Sequence, residues 1–216
     1  MVPQCATKRT HAHYATKKRL CATHRSHTMI CMESSPQPIS KDIITFAVIA
    51  LLIVIPIRWF IAQPFIVRGA SMEPTFQTGE YLIVDQLSYR FHQPERGDVI
   101  ILKYPRDESV YFIKRIIGLP NETVEFQGTK VIIRRGVDTE PITLDQSYVE
   151  SDRNRPEYGT YTLGADEYFV MGDNRNESSD SRVWGALPAK DIVGRALVRL
   201  FPPSMFDYLP GRVTTP

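Results

Sequence analysis

Val110-Tyr111-Phe112-Ile113-Lys114-Arg115-Ile116-Ile117-Gly118 is a run of β-branched, aromatic and charged side chains closed by a glycine. Such side chains favour an extended backbone. Alternation along a strand then puts Val110, Phe112, Lys114 and Ile116 on one face. Similar short runs stand on either side: Phe65 to Val67, Tyr81 to Asp85, Asp98 to Tyr104, Thr123 to Phe126, Lys130 to Ile133, Tyr168 to Met171 and Gly194 to Leu200. Gly79, Gly97, Pro120, Asn121, Gly128, Gly136, Gly159 and Gly164 separate them, as turn residues do. Helical periodicity is scarce, so the fold class is mainly β, a barrel or sandwich. Between about 138 and 165 the chain is polar, with Pro141, Pro156 and the charged stretch from Glu150 to Glu157, and reads as an exposed, mobile excursion.

Upstream the character changes. Ile43 to Ala62, IITFAVIALLIVIPIRWFIA, carries Arg58 as its only charge. A run of roughly 20 apolar residues spans a bilayer core as a helix. Arg58 and Trp59 stand near its end, where a long cation and an indole suit the interface, and Pro64 stops it. A secretory leader would be shorter and followed by small residues, whereas Gln-Pro-Phe follows here. The organisation read from this is a basic tail over 1–41, a transmembrane helix over 42–63 and one folded domain over 64–212.

The formal charge of +2 does not suggest a nucleic-acid partner, but its placement is informative. Lys8, Arg9, Lys17, Lys18, Arg19, Arg25 and Lys41 precede the apolar run, against Glu33 and Asp42. The positive-inside bias puts that side in the cytoplasm and the folded domain across the membrane. The first 32 residues contain no acid, a composition of transit peptides and of sequence upstream of a later start at Met29 or Met32. Cys21, His24, His27 and Cys31 have spacings a zinc site uses, but no apolar pattern there would hold the ligands, and a disordered tail is the better reading.

Beyond the apolar run there is no cysteine and one histidine, His92. Disulfides, cysteine nucleophiles and most metal sites are thereby disfavoured. H-E-x-x-H, the phosphate-binding glycine loop and the dinucleotide fingerprint are absent, so a hydrolase here needs an oxygen nucleophile and no cofactor. Ser71 stands between Gly69 and Pro74, which fix a turn and expose its backbone N–H to an oxyanion. Lys114 lies among apolar neighbours on its strand. Lowering a lysine from about 10.4 to about 8 requires roughly 3 kcal/mol, which burial can supply, and the neutral amine can then take the serine proton. A dense polar loop, Gly172 to Arg182, follows the strand YFVM and can brace such a site. Singly, each has a plainer reading: a turn serine, an edge lysine with its head in water, a solvated loop.

In combination the segments resemble the type I signal peptidases, serine proteases that remove signal peptides from exported proteins. The resemblance covers about residues 42 to 202. It rests on Ser71-Met-Glu-Pro-Thr75, Arg96-Gly-Asp-Val-Ile100, Lys114-Arg-Ile-Ile-Gly-Leu-Pro120 and Gly172-Asp-Asn-Arg175 followed by Ser178-Ser-Asp-Ser-Arg182, in the family's order. It implies Ser71 as nucleophile, Lys114 as general base and Ser178 hydrogen-bonded to the lysine. Asp180 and Arg182 would form an ion pair behind the site, and Asp173 and Asn174 would shape the loop.

The substrate implied is a preprotein bound as an added strand, with small residues at the first and third positions before the cut. Phe65, Ile66 and Val67 on one side and Tyr111, Phe112 and Ile113 on the other are the pairing edges. No metal or cofactor is implied. A lipid bilayer is the other partner, of the cell or of a thylakoid-type internal membrane, and a monomer is favoured. Some members carry a hydroxyl residue at the position of Gly69 as a second oxyanion donor, which Gly69 cannot supply from a side chain. The short interval from Lys114 to Gly172 and the single span resemble compact members. Two rivals stand beside this reading: a triad of Ser71, His92 and an acid such as Asp98, and a non-catalytic membrane-anchored module that binds peptides at a strand edge. A self-cleaving repressor with the same dyad is disfavoured, because no DNA-reading helix pair is recognisable.

Overall fold

In the computed structural model the described residues are 39–56, 62–136 and 139–213. The opening strand of the sequence reading is longer than predicted, β4 (Asp107–Gly118), and the architecture is organised about it. Before it come β1 (Ala62–Ile66), β2 (Tyr81–Asp85) and β3 (Val99–Tyr104). After it come β5 (Thr123–Gly128), β6 (Lys130–Arg134), β7 (Ile142–Thr143), β8 (Glu157–Thr162) and β9 (Glu167–Met171). The chain closes with β10 (Leu187–Pro188), β11 (Ile192–Phe201) and β12 (Asp207–Tyr208). The class is mainly β, in two antiparallel sheets. The larger has the order β1-β2-β11-β3-β4-β9-β10 with β12 beside β11, and the smaller the order β7-β6-β5-β8.

The strands form where apolar side chains find two covered faces. On β3, Val99 and Ile101 enter one core with Met72, Phe76, Leu82 and Val84, while Ile100 and Leu102 enter a second with Ile116, Tyr168 and Val170. Burial on both faces explains why VIIL reads as a continuous apolar run. β5 and β6 instead alternate. Their inward residues Val124, Phe126, Val131 and Ile133 meet Ile117, Phe169 and Met171 in a third core. β4 contributes Ile113 to the first core, Ile116 to the second and Ile117 to the third. Lys114 therefore sits on a backbone anchored by buried isoleucines, each worth about 1.5–3 kcal/mol of burial.

The segment near 138–165 differs from expectation. Much of its surface is exposed, but it carries β7 and β8, and Leu144 and Leu163 are buried in the third core. Tyr161 of β8 packs on Phe126 and Phe169 at ring separations of 5.9 and 4.8 Å. Its few apolar residues are spaced for a half-exposed edge strand, a pattern too sparse to stand out among charges and prolines.

Helix α1 (Ile39–Pro56) places Asp42 in its first turn, where a carboxylate meets the positive end of the dipole. Its described side chains, 42 to 55, are all exposed. Among the described residues no helix is long and apolar enough to cross a membrane. The predicted span over 42–63 falls partly outside them, at 57–61, and its last two residues belong to β1. The Cys/His spacings of the tail lie outside the described residues.

Candidate active site

Two anchors set the turn that carries Ser71. Val67 and Gly79 close its base through Val67 N–H to Glu80 O at 2.9 Å and Gly79 N–H to Val67 O at 3.0 Å. Met72 and Phe76 drive into the first core, leaving half-buried Ser71 beside them. Gly69 has φ +89°, a conformation that disfavours any side chain, although a Cβ there would meet nothing within 4 Å. Backbone shape, and not lack of room, is what requires glycine at this position.

Lys114 Nζ donates to Ser71 Oγ at 2.7 Å, and the lysine is 3 % exposed. Burial pushes its ammonium down to about 8. The Asp180 and Asp173 carboxylates oppose that and Arg182 reinforces it. The amine also stands 5.1 Å from the centre of the Phe112 ring. A hydroxyl in contact with a lysine that is neutral in part near pH 8 has the geometry that a serine nucleophile and an amine base require.

The loop after β9 packs behind this pair. Asn174 N–H donates to Ser71 O at 3.1 Å, and Gly172 N–H donates to Asp180 at 3.0 Å. Arg182 holds both oxygens of Asp180 at 2.8 and 2.9 Å and reaches Glu157 of β8 at 3.0 Å. Burial works to raise the Asp180 carboxyl, but the Arg182 guanidinium overrides it and holds the group below the usual carboxylate range. Ser178 is not hydrogen-bonded to Lys114. Its hydroxyl lies near enough to Asp180 to favour that carboxylate, yet it meets no hydrogen-bond geometry and is buried without a partner among the described residues. The loop turns Ser178 toward Gly172 instead, where a Cβ would collide with its Oγ.

Several supporting residues were not anticipated. Arg115, wholly buried, grips Asp173 with Nε at 2.8 Å and Nη2 at 2.6 Å, donates to Gly97 O at 2.9 Å and stacks 4.0 Å over Tyr148. Thr75 Oγ1 donates to the same carboxylate at 2.6 Å, joining the nucleophile turn to the loop. Arg199 donates to Thr75 O at 3.2 Å and to buried Glu80 at 2.9 Å. The available signal was Arg115 itself, a charge placed by alternation between Ile113 and Ile117 and so in need of a buried partner.

A cleft of about 220 Å³ opens over the dyad. Phe65, Ile66, Val67 and Arg68 line one side and Tyr111, Phe112 and Ile113 the other, with Leu82 and Ile101 at its apolar floor. Among the described residues β1 pairs only with β2, and β4 meets β9 only from Arg115 onward. Both flanks thus keep free backbone edges, and the Phe65 and Tyr111 rings approach to 5.6 Å across the gap. His92 lines a different groove with Pro94 and Leu119, and Asp98 accepts from Tyr89 at 2.8 Å, so the alternative triad is not assembled. Among the described residues no three His, Cys, Asp or Glu side chains are grouped to hold a metal.

A hydroxyl against a buried amine, beside an apolar cleft with free strand edges, is an arrangement suited to a hydrolase. The comparisons name the family. The model for signal peptidase, peptidase S26, matches residues 40–201, and the chain belongs to that family of hydrolases. It is 36 % identical over 200 residues to a probable signal peptidase I-1 of Synechocystis sp., covering 84 % of this chain and 97 % of that one. It is 37 % identical over 175 residues to a signal peptidase I of Leptolyngbya laminosa, covering 76 % and 81 %. A crystal structure of a signal peptidase I from Enterococcus faecalis V583 aligns with TM-score 0.40 and 32 % identity, over 48 % of this chain and 97 % of that one.

Proposed function

We propose that the chain is a membrane-tethered serine endopeptidase that cleaves signal peptides from exported preproteins, with Ser71 as nucleophile and neutral Lys114 as general base. The observation that carries this is the 2.7 Å contact between Ser71 Oγ and the amine of a lysine 3 % exposed. In the reactive form Ser71 O–H donates to neutral Nζ. As Oγ attacks the scissile carbonyl, Nζ takes the proton and the carbonyl oxygen becomes an oxyanion facing the Ser71 N–H. The ammonium then protonates the departing amine, leaving an ester on Ser71. Water, deprotonated by the same amine, releases the acid and restores the serine.

The preprotein enters as a strand between β1 and β4. Its side chains alternate, so those at the first and third positions before the cut share one face and enter the cleft. The apolar lining there, Leu82 and Ile101 among it, suits small apolar side chains such as alanine. The exposed apolar side chains of α1, among them Phe46 and Leu52, with the basic residues before them, support anchoring in a bilayer of the cell or of a thylakoid-type membrane. The N-terminus would then be cytoplasmic, the catalytic domain on the opposite side and the enzyme a monomer. The test is cleavage of one purified preprotein by the detergent-solubilised full chain. Wild type should release the mature protein and Ser71→Ala should not; cleavage by Ser71→Ala overturns the assignment.

A further inference from the structure

We propose that Arg153 is a positioning residue of the catalytic centre, clamping the Ser71 turn to the Gly172–Arg182 loop from within the polar segment that joins β7 to β8. Resting on the Ser71/Lys114 reading, it concerns what holds Ser71 in place for that dyad. Glu73 lies two residues beyond Ser71, and Asn176 two residues before Ser178. Arg153 reaches both: Nη1 donates to Glu73 Oε2 at 2.8 Å, and its carbonyl accepts from Asn176 N–H at 3.2 Å. Nε donates to Glu150 at 2.9 Å, which aims the guanidinium, and Asn176 Nδ2 donates to Asp152 O at 2.9 Å, which doubles the link to the loop.

The surrounding contacts run the same way. Within a dozen residues of this segment, Gln146 meets Arg175, Tyr148 lies under Arg115 and Glu157 meets Arg182. The segment read as a mobile excursion is thus a strap across the back of the site. Arg153 differs from the other links in touching the nucleophile turn itself. Its pair with Glu73 is about a third exposed, 31 % and 30 %, so it contributes little to global stability. A bond of that kind, tying the turn that carries Ser71 to the loop packed behind it, is worth more as alignment, since a displacement of about 1 Å can cost on the order of 100-fold in rate.

The experiment measures kcat, KM and melting temperature of the full chain in detergent on one preprotein, for Arg153→Ala, Arg153→Lys, Glu73→Gln and the Glu73→Gln/Arg153→Ala double variant. Arg153→Ala and Glu73→Gln should each lower kcat by roughly tenfold with KM within about twofold. The double variant should lose no more than the worse single, and Arg153→Lys should recover most of the rate. A kcat within about twofold of wild type for Arg153→Ala, or single losses that multiply in the double variant, overturns the proposal. Loss of rate that only tracks a fallen melting temperature in all four variants also overturns it. Ser71→Ala, run alongside, separates the two readings: residual cleavage there defeats the dyad whatever Arg153 does.

Discussion

Gly172 lies directly against the carbonyl oxygen of Ser71, with the Ser178 hydroxyl closing its other side, so that no Cβ fits between them. The Gly172–Arg182 loop and the Ser71 turn therefore touch backbone to backbone, and the Asn174 N–H to Ser71 O bond is made just beyond that contact. Gly172→Ala should push the two apart. We expect a loss of about 100-fold in kcat with a stability cost of about 1–3 kcal/mol, read by steady-state cleavage and by thermal unfolding.

The pH–rate profile follows from Lys114. Only the neutral amine accepts the serine proton, and burial brings its pKa to about 8. kcat/KM should rise about tenfold per pH unit up to that value and level off above it. Lys114→Arg should be inactive at every pH in the profile, since a guanidinium does not give up its proton there.

Stability carries the same shift with a definite sign. The folded state holds Lys114 near 8 against the ordinary lysine value of 10.5, so between those values the unfolded chain binds more protons. Stability then rises as pH climbs from 8 toward 10.5, and below 8 the folded state bears a charging cost of about 3 kcal/mol. Lys114→Met should be more stable than wild type at neutral pH by about 2–3 kcal/mol, an advantage that fades above pH 10. Urea titrations at pH 7 and pH 10 check this.

Ion pairs in this chain should divide by burial. Arg115 and Asp173 have side chains 1 % exposed, and removing one partner as in Asp173→Ala leaves a buried guanidinium uncompensated. That should cost about 3–5 kcal/mol. Arg134 and Glu125 have exposures of 46 % and 22 %, and Arg134→Ala should cost less than about 1 kcal/mol. Chemical denaturation of the two variants side by side is the check.

Much of the site was legible because its chemistry is carried by residue types in local context. Tyr81–Asp85 was bounded as observed, and most other predicted strands differ by one to three residues at an end, since turn glycines and prolines mark where pairing stops. Alternation put Lys114 among apolar neighbours, but only its combination with the Ser71 turn, the polar loop and the family resemblance made it a candidate base. β7, β8, β10 and β12 were missed: three are two residues long, and β8 presents mostly polar or exposed side chains. Arg153 and Tyr148 could not be picked out, because nothing local distinguishes an arginine that bridges two distant loops from one in water.

By itself the sequence determined the strand content, the apolar run ahead of the domain and the two groups able to exchange a proton, all of which depend on neighbours within a few residues. Only the tertiary structure decided that Ser71 and Lys114, 43 positions apart, meet at 2.7 Å, that Ser178 makes no hydrogen bond to the lysine, and that the polar segment straps the site. Those outcomes depend on three cores converging on β4 and on which buried charges find partners, and such long-range packing leaves no periodic trace in the chain.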